Sequence, residues 1–196
     1  MATVSTSFGV GSCGRALPLA GIRAVARLTP VDLEVGAVVV YSSYGVGRVV
    51  ARKQRLVLGA EQEIVVLELE EGLTVSLPIE RARDQLRVLA SEAVIRQVRE
   101  TLREEPAVSD KPWLSRQREA RAKLTGGDPL GLAEIVRDGA SRQRALTAKG
   151  TKNQLSPSER DVFVKARQLL SAEIAQARGL GATDIDEWID QQLTRA

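Results

Sequence analysis

Trp113 lies between Glu104-Glu105-Pro106 and the basic run Ser115-Arg116-Gln117-Arg118-Glu119-Ala120-Arg121-Ala122-Lys123. A bulky apolar ring flanked by cations can act on a nucleic acid in two ways: the cations neutralise phosphates and the ring wedges against the base stack. Spacing alone leaves a second reading open, in which the indole packs into a core and the Arg/Lys run is the solvated face of a helix. The charge distribution suits nucleic acid. From Lys111 to Lys152 ten cations stand against four anions (Glu119, Asp128, Glu134 and Asp138), a surplus of about six in a chain whose formal net charge is only +3.

Other chemistries find little to work with. The 196 residues contain no histidine and one cysteine, Cys13. That removes Ser/His/Asp and Cys/His nucleophilic schemes and deprives a zinc site of its usual imidazole ligands. A lone cysteine cannot pair within the chain, which points to a reducing cytoplasm. Gly9-Val10-Gly11-Ser12-Cys13-Gly14 has a dinucleotide-binding spacing, but no strand precedes it and no βαβ unit surrounds it. Gly45-Val46-Gly47 lacks the Gly-Lys-Ser/Thr ending of a phosphate loop and reads as a tight turn. Glu68, Glu70 and Glu71 lie on or beside a strand in alternation with apolar residues, as solvated side chains do. No catalytic set, cofactor or metal is expected, and no apolar run approaches the length of a membrane span.

The elements that must position Trp113 follow from periodicity, and they predict an α+β chain of two modules. Ala37–Tyr41, Gly45–Val50, Glu63–Leu69, Leu73–Pro78 and Leu86–Leu89 are short β-branched runs punctuated by glycines, the pattern of a small antiparallel β barrel. After Ser91 the period becomes helical. Val94, Ile95, Val98 and Leu102 share one face of a helix that stops before Pro106. A second helix starts near Trp113 and ends at Gly126-Gly127, and Asp128-Pro129 opens a third. Ser156-Pro157-Ser158-Glu159 is a capping box for the fourth, and a last short helix carries Ile185, Trp188, Ile189 and Leu193 on a core-facing stripe. The acids Asp184, Asp186, Glu187 and Asp190 read as the solvated start of that helix. Residues 1–31, rich in Ser, Thr, Ala and Gly, read as a disordered extension or a misassigned start, residues 32–90 as the barrel and 91–196 as the helical module.

In order along the chain stand Val35-Gly36, Val39-Val40-Tyr41, Tyr44-Gly45, Gly59, Leu73-Thr74-Val75, Pro78 and Leu86-Arg87. They are followed by Trp113, Arg116, Lys123-Leu124, Gly127-Asp128, Val136-Arg137-Asp138, Glu159-Arg160 and Lys165-Ala166-Arg167. This text, from about Leu33 to the end, resembles the bacterial CarD/CdnL family of transcription regulators. The resemblance implies a Tudor-like N-terminal domain that docks on the β subunit of RNA polymerase. It also implies a helical domain that meets promoter DNA at the upstream edge of the transcription bubble, where a tryptophan enters the minor groove and steadies the open complex. Trp113 occupies that place, with Arg116, Arg118 and Lys123 as DNA-facing cations on the same helix. Arg55 matches a basic polymerase-contacting position in the barrel, and Ser76 stands where the family often has arginine. Pro112 and Leu114 replace the frequent asparagine and serine on either side of the tryptophan. The partners so implied are polymerase β and promoter DNA, with no membrane and a monomeric protein. The alternative is an adaptor on RNA polymerase that makes no direct DNA contact.

Overall fold

The computed structural model describes residues 31, 33–42, 44–57, 59–70, 72–106, 112–150 and 154–194. The glycine motif at residues 9–14 and the expectation for the extension fall outside the described residues.

β1 (Val38–Tyr41), β2 (Gly45–Val57), β3 (Ala60–Leu69), β4 (Thr74–Pro78) and β5 (Leu86–Arg87) form one antiparallel sheet in the order β4-β3-β2-β1-β5. Alternation sets its faces: Val65 and Leu67 of β3 point inward and are fully buried, while Glu68 between Leu67 and Leu69 is exposed. Val39, Val49, Leu77 and Leu86 complete the inner cluster. Val50 is the extra residue of a bulge where the β2–β3 register shifts between Val49 and Ala51, and it bends the sheet. A short helix, α1 (Ile79–Gln85), carries the chain from β4 to β5 and lays Ala82 on the core.

Three details differ from the sequence-based expectation. β2 continues to Val57 and β3 begins at Ala60, so the two strands extend as a ribbon past their neighbours, closed at Gly59 with φ 85°. Arg52, Lys53, Gln54 and Arg55 hide this strand because they offer no apolar alternation, and cross-strand pairing supplies what patterning lacks. α1 escapes notice because only Ile79 and Ala82 mark its inner face. Gly47 is not part of a turn: it lies inside β2 opposite Val39 and Leu69, where an added Cβ would come within 2.7 Å of the Leu69 side chain.

The helical module consists of α2 (Glu92–Arg103), α3 (Trp113–Gly126), α4 (Pro129–Ala148), α5 (Pro157–Arg178) and α6 (Ala182–Thr194). Its ends are set locally. Ser91 accepts from the Val94 N–H, Asp128 from the Gly131 N–H, and Ser156 and Glu159 form the reciprocal capping box of α5. Ile95, Val98, Leu102, Leu132, Val136, Leu170, Ile174, Ile185 and Ile189 make one core among α2, α4, α5 and α6. Trp188 is only half-buried against that core, with the Arg178 guanidinium 5.3 Å from its ring centroid. Asp186 and Asp190 are not merely solvated. Arg167 of α5 binds both, at 3.0 and 2.6 Å, and staples α6 to α5.

Candidate functional site

α3 packs on the bundle less than the other long helices do. Its inner stripe is Trp113, Gln117, Ala120 and Leu124, at i, i+4, i+7 and i+11. Leu124 and Ala120 rest on the core, but the only fully buried residue of the helix is the polar Gln117, whose amide donates to the Ser158 hydroxyl at 2.6 Å and the Ser158 carbonyl at 3.2 Å. A cleft of about 450 Å³, lined in part by Arg116, Gln117, Ala120, Arg142 and Phe163, lies between the middle of α3 and helices α4 and α5. Trp113, one turn further out on the same stripe, keeps 43 % of its surface in solvent, and Leu114 beside it keeps 54 %. This exposure weighs against a tryptophan sealed in the core.

The N-terminal end of α3 is electropositive in two ways. No side chain caps it and its first turn holds no acidic residue, so the partial positive charge of the helix end faces outward beside the indole. Arg118 is exposed, and Arg121 is exposed while also donating to the Ser158 hydroxyl at 2.9 Å. Other cations have internal partners. Arg116 is half-buried on the cleft, Lys123 is 2.8 Å from Glu134, and Arg142 is 3.2 Å from Glu159. Arg137, counted in the cationic surplus of the sequence, is only 7 % exposed and is held by Glu104 at 3.0 Å and Asp138 at 2.8 Å, so it braces α4 instead of facing a ligand. The surplus that reaches solvent is therefore smaller than the sequence count, and among the described residues it includes Arg118 and Arg121 of α3 and Arg144 and Lys149 toward the end of α4. Burial opposes ionisation of Glu159, yet the Ser156 hydroxyl and N–H, with Arg142, hold its carboxyl below the ordinary value.

Arg55 lies on the projecting β2–β3 ribbon. Its cross-strand partner is Gln62, and Ser76 of β4 is paired with Val66. Partners share a side of the sheet, and Gln62 and Val66 alternate with the inward Val65 and Leu67, so Arg55, Lys53 and Ser76 share the outer face. Arg55 and Ser76 are offset by four residues of β3, about 13 Å. Leu56, next to Arg55, is 73 % exposed. Leu56, paired with Glu61, projects from the other side of the ribbon, so the outer face offers cations and a small hydroxyl, which suit protein docking more readily than catalysis.

Sequence reasoning passed over the residues that join the two modules. Arg87 of β5 forms a bidentate pair with Glu173 of α5, Nη2 to Oε2 being 2.7 Å, and the same Nη2 donates to the Gly127 carbonyl at 2.6 Å. Glu173 is 1 % exposed and also accepts the Ala90 N–H at 3.0 Å. Arg87 and Gly127-Asp128 were visible as matching text, but nothing in the spacing announces a partner 86 residues away.

Two family models match the chain in succession: the CarD-like/TRCF RID domain over residues 33–89, and the CarD C-terminal domain over residues 97–190. The first is Tudor-like, in keeping with the five-stranded antiparallel sheet, and the whole is an α+β protein. With these domains it is an RNA polymerase-interacting transcription factor, a class that points to a non-enzymatic regulator. The chain belongs to the CarD/CdnL family. Among the described residues no helix is long and apolar enough to cross a membrane, and no His/Cys/Asp/Glu group could hold a metal ion.

Proposed function

We propose that the sheet module, residues 32–90, docks on the β subunit of RNA polymerase and that the helical module, residues 91–196, stabilises the promoter open complex through minor-groove contact by Trp113 at the upstream edge of the bubble. The observation that carries this is the exposure of Trp113 at 43 %, at the start of a helix whose first turn has no acid. Arg118 supplies an exposed cation on the same helix, and Arg116 and Lys123 assist, Lys123 by exchanging Glu134 for phosphate. So few phosphate contacts give weak, salt-sensitive binding to free DNA. Tethering to polymerase offsets this by raising the local concentration to roughly millimolar. Inserting the indole into intact duplex costs on the order of a few kcal/mol of unstacking, and less at a fork already distorted by melting. The wedge therefore favours the open state, and a differential affinity of about 1.4 kcal/mol enriches open complexes tenfold. The protein acts in the cytoplasm as a monomer.

A second reading has a specific observation behind it. Lys123, Arg137 and Arg142 are engaged with acids of the same module, as befits an adaptor whose helices do not touch DNA. The two part on one measurement. In a competitor-challenge assay on an unstable promoter, Trp113→Ala is expected to shorten the open-complex lifetime about tenfold while polymerase affinity stays the same. Equal lifetimes for wild type and variant remove the wedge and leave the adaptor.

A further inference from the structure

α3 runs for 14 residues between Trp113 at its tip and the Gly127 cap at its foot, a rigid span of about 21 Å. The foot meets the sheet module at two points. Gly127 has φ 63°, and a Cβ there would come within 2.5 Å of the Ser42 carbonyl oxygen in the β1–β2 turn, so only glycine permits this close approach. Its carbonyl also accepts the Arg87 Nη2 hydrogen bond that continues to Glu173. Arg87 is the cross-strand partner of Val40, whose other neighbour is Val46; both valines are buried, on the face opposite the inward Val39. Sheet edge, α5 and the foot of α3 thus converge on one guanidinium, and the planar fork of arginine fixes angles as well as distances.

We propose that α3 is a strut: the Arg87–Glu173–Gly127 clamp fixes its foot to the docking module, and this sets where Trp113 meets DNA once the sheet is seated on polymerase. The role presupposes the DNA contact proposed above and adds the residues that give it a defined position. Leverage explains why a clamp is needed. A tilt of about 10° at the foot moves a tip about 20 Å away by about 3.5 Å, close to one nucleotide step. Arg87, Glu173 and Gly127 touch neither polymerase nor DNA in this scheme and are positioning residues.

The test uses the full chain with Cys13→Ser and spin labels at Arg81→Cys on α1 and Ser115→Cys on α3, both exposed positions. The distance distribution between labels is expected to be narrow, and to broaden in Glu173→Gln, whose amide sets a donor against the guanidinium. Without labels, Glu173→Gln is expected to shorten open-complex lifetime at least about fivefold with polymerase affinity unchanged. An unchanged distribution overturns the clamp. A broadened distribution with wild-type lifetime overturns the strut while the wedge stands, provided Trp113→Ala still shortens the lifetime. If Trp113→Ala has no effect either, the DNA contact and the strut fall together. Should Glu173→Gln fail to fold, Arg87→Lys keeps the charge near Glu173 but cannot hold Gly127 at the same time, and is judged by the same two readouts.

Discussion

The two tryptophans of the chain, Trp113 and Trp188, both fall on the inward stripe of a helix, yet their surroundings differ. Trp188 has core on one side and Arg178 on the other, whereas Trp113 keeps nearly half of its surface in solvent. Helical phase decides which way a side chain points, but the presence of anything there to cover it depends on the neighbouring helices. Acrylamide quenching separates the two. Trp188→Phe leaves Trp113 as the sole indole and is expected to give a steeper Stern–Volmer slope than Trp113→Phe, which leaves Trp188. Equal slopes would mean that Trp113 is as covered as its counterpart.

Among elements, α5 and α4 were legible because their signals are local: Ser156, Pro157, Glu159, Asp128 and Pro129 cap helices within a few residues of themselves. The β2–β3 ribbon was not, since Arg52–Arg55 become a strand only by pairing with Gln62–Val65. The acidic start of α6 was seen, though not its link to α5. Asp190 has its pKa lowered by the Arg167 hydrogen bond, against burial, and Arg167 has its own raised by the same contact. A depressed carboxylate contributes stability that is complete above the unfolded-state value of about 3.9 and is lost as pH falls through the lower folded value. Asp190→Asn is therefore expected to destabilise the protein at pH 7 and lower its Tm, by no more than about 1 kcal/mol because Asp190 itself is largely exposed. Its Tm is also expected to fall less steeply than the wild type's as pH drops below about 5. Parallel pH curves would show that the ion pair does not couple α6 to α5.

At the scale of the whole molecule, the proposed function joins a docking face to a weak DNA grip. Arg55→Glu tests that division. On the outer face of the ribbon it leaves the helical core untouched, and placing like charges in an interface is expected to weaken polymerase β binding at least about tenfold. Titration calorimetry against the β subunit reads this directly. Because tethering supplies the effective concentration, the open-complex effect should reappear when the variant is added in large excess. Unchanged affinity would mean that another face of the sheet is used.

The chain's own text was enough for the class of fold, the order of modules, the helix ends and the family, because each rests on periodicity, capping or matching residues; Trp113, Arg116, Arg118, Lys123, Arg55 and Ser76 enter from the same text as proposed contacts. Tertiary structure alone decided that Trp113 is exposed, that Arg137 is buried, and that Arg87 ties Glu173 to Gly127. The reason is physical. Caps and stripes involve neighbours in sequence, whereas exposure and ion pairing depend on which distant segment arrives opposite a side chain, and that is fixed only when the modules pack.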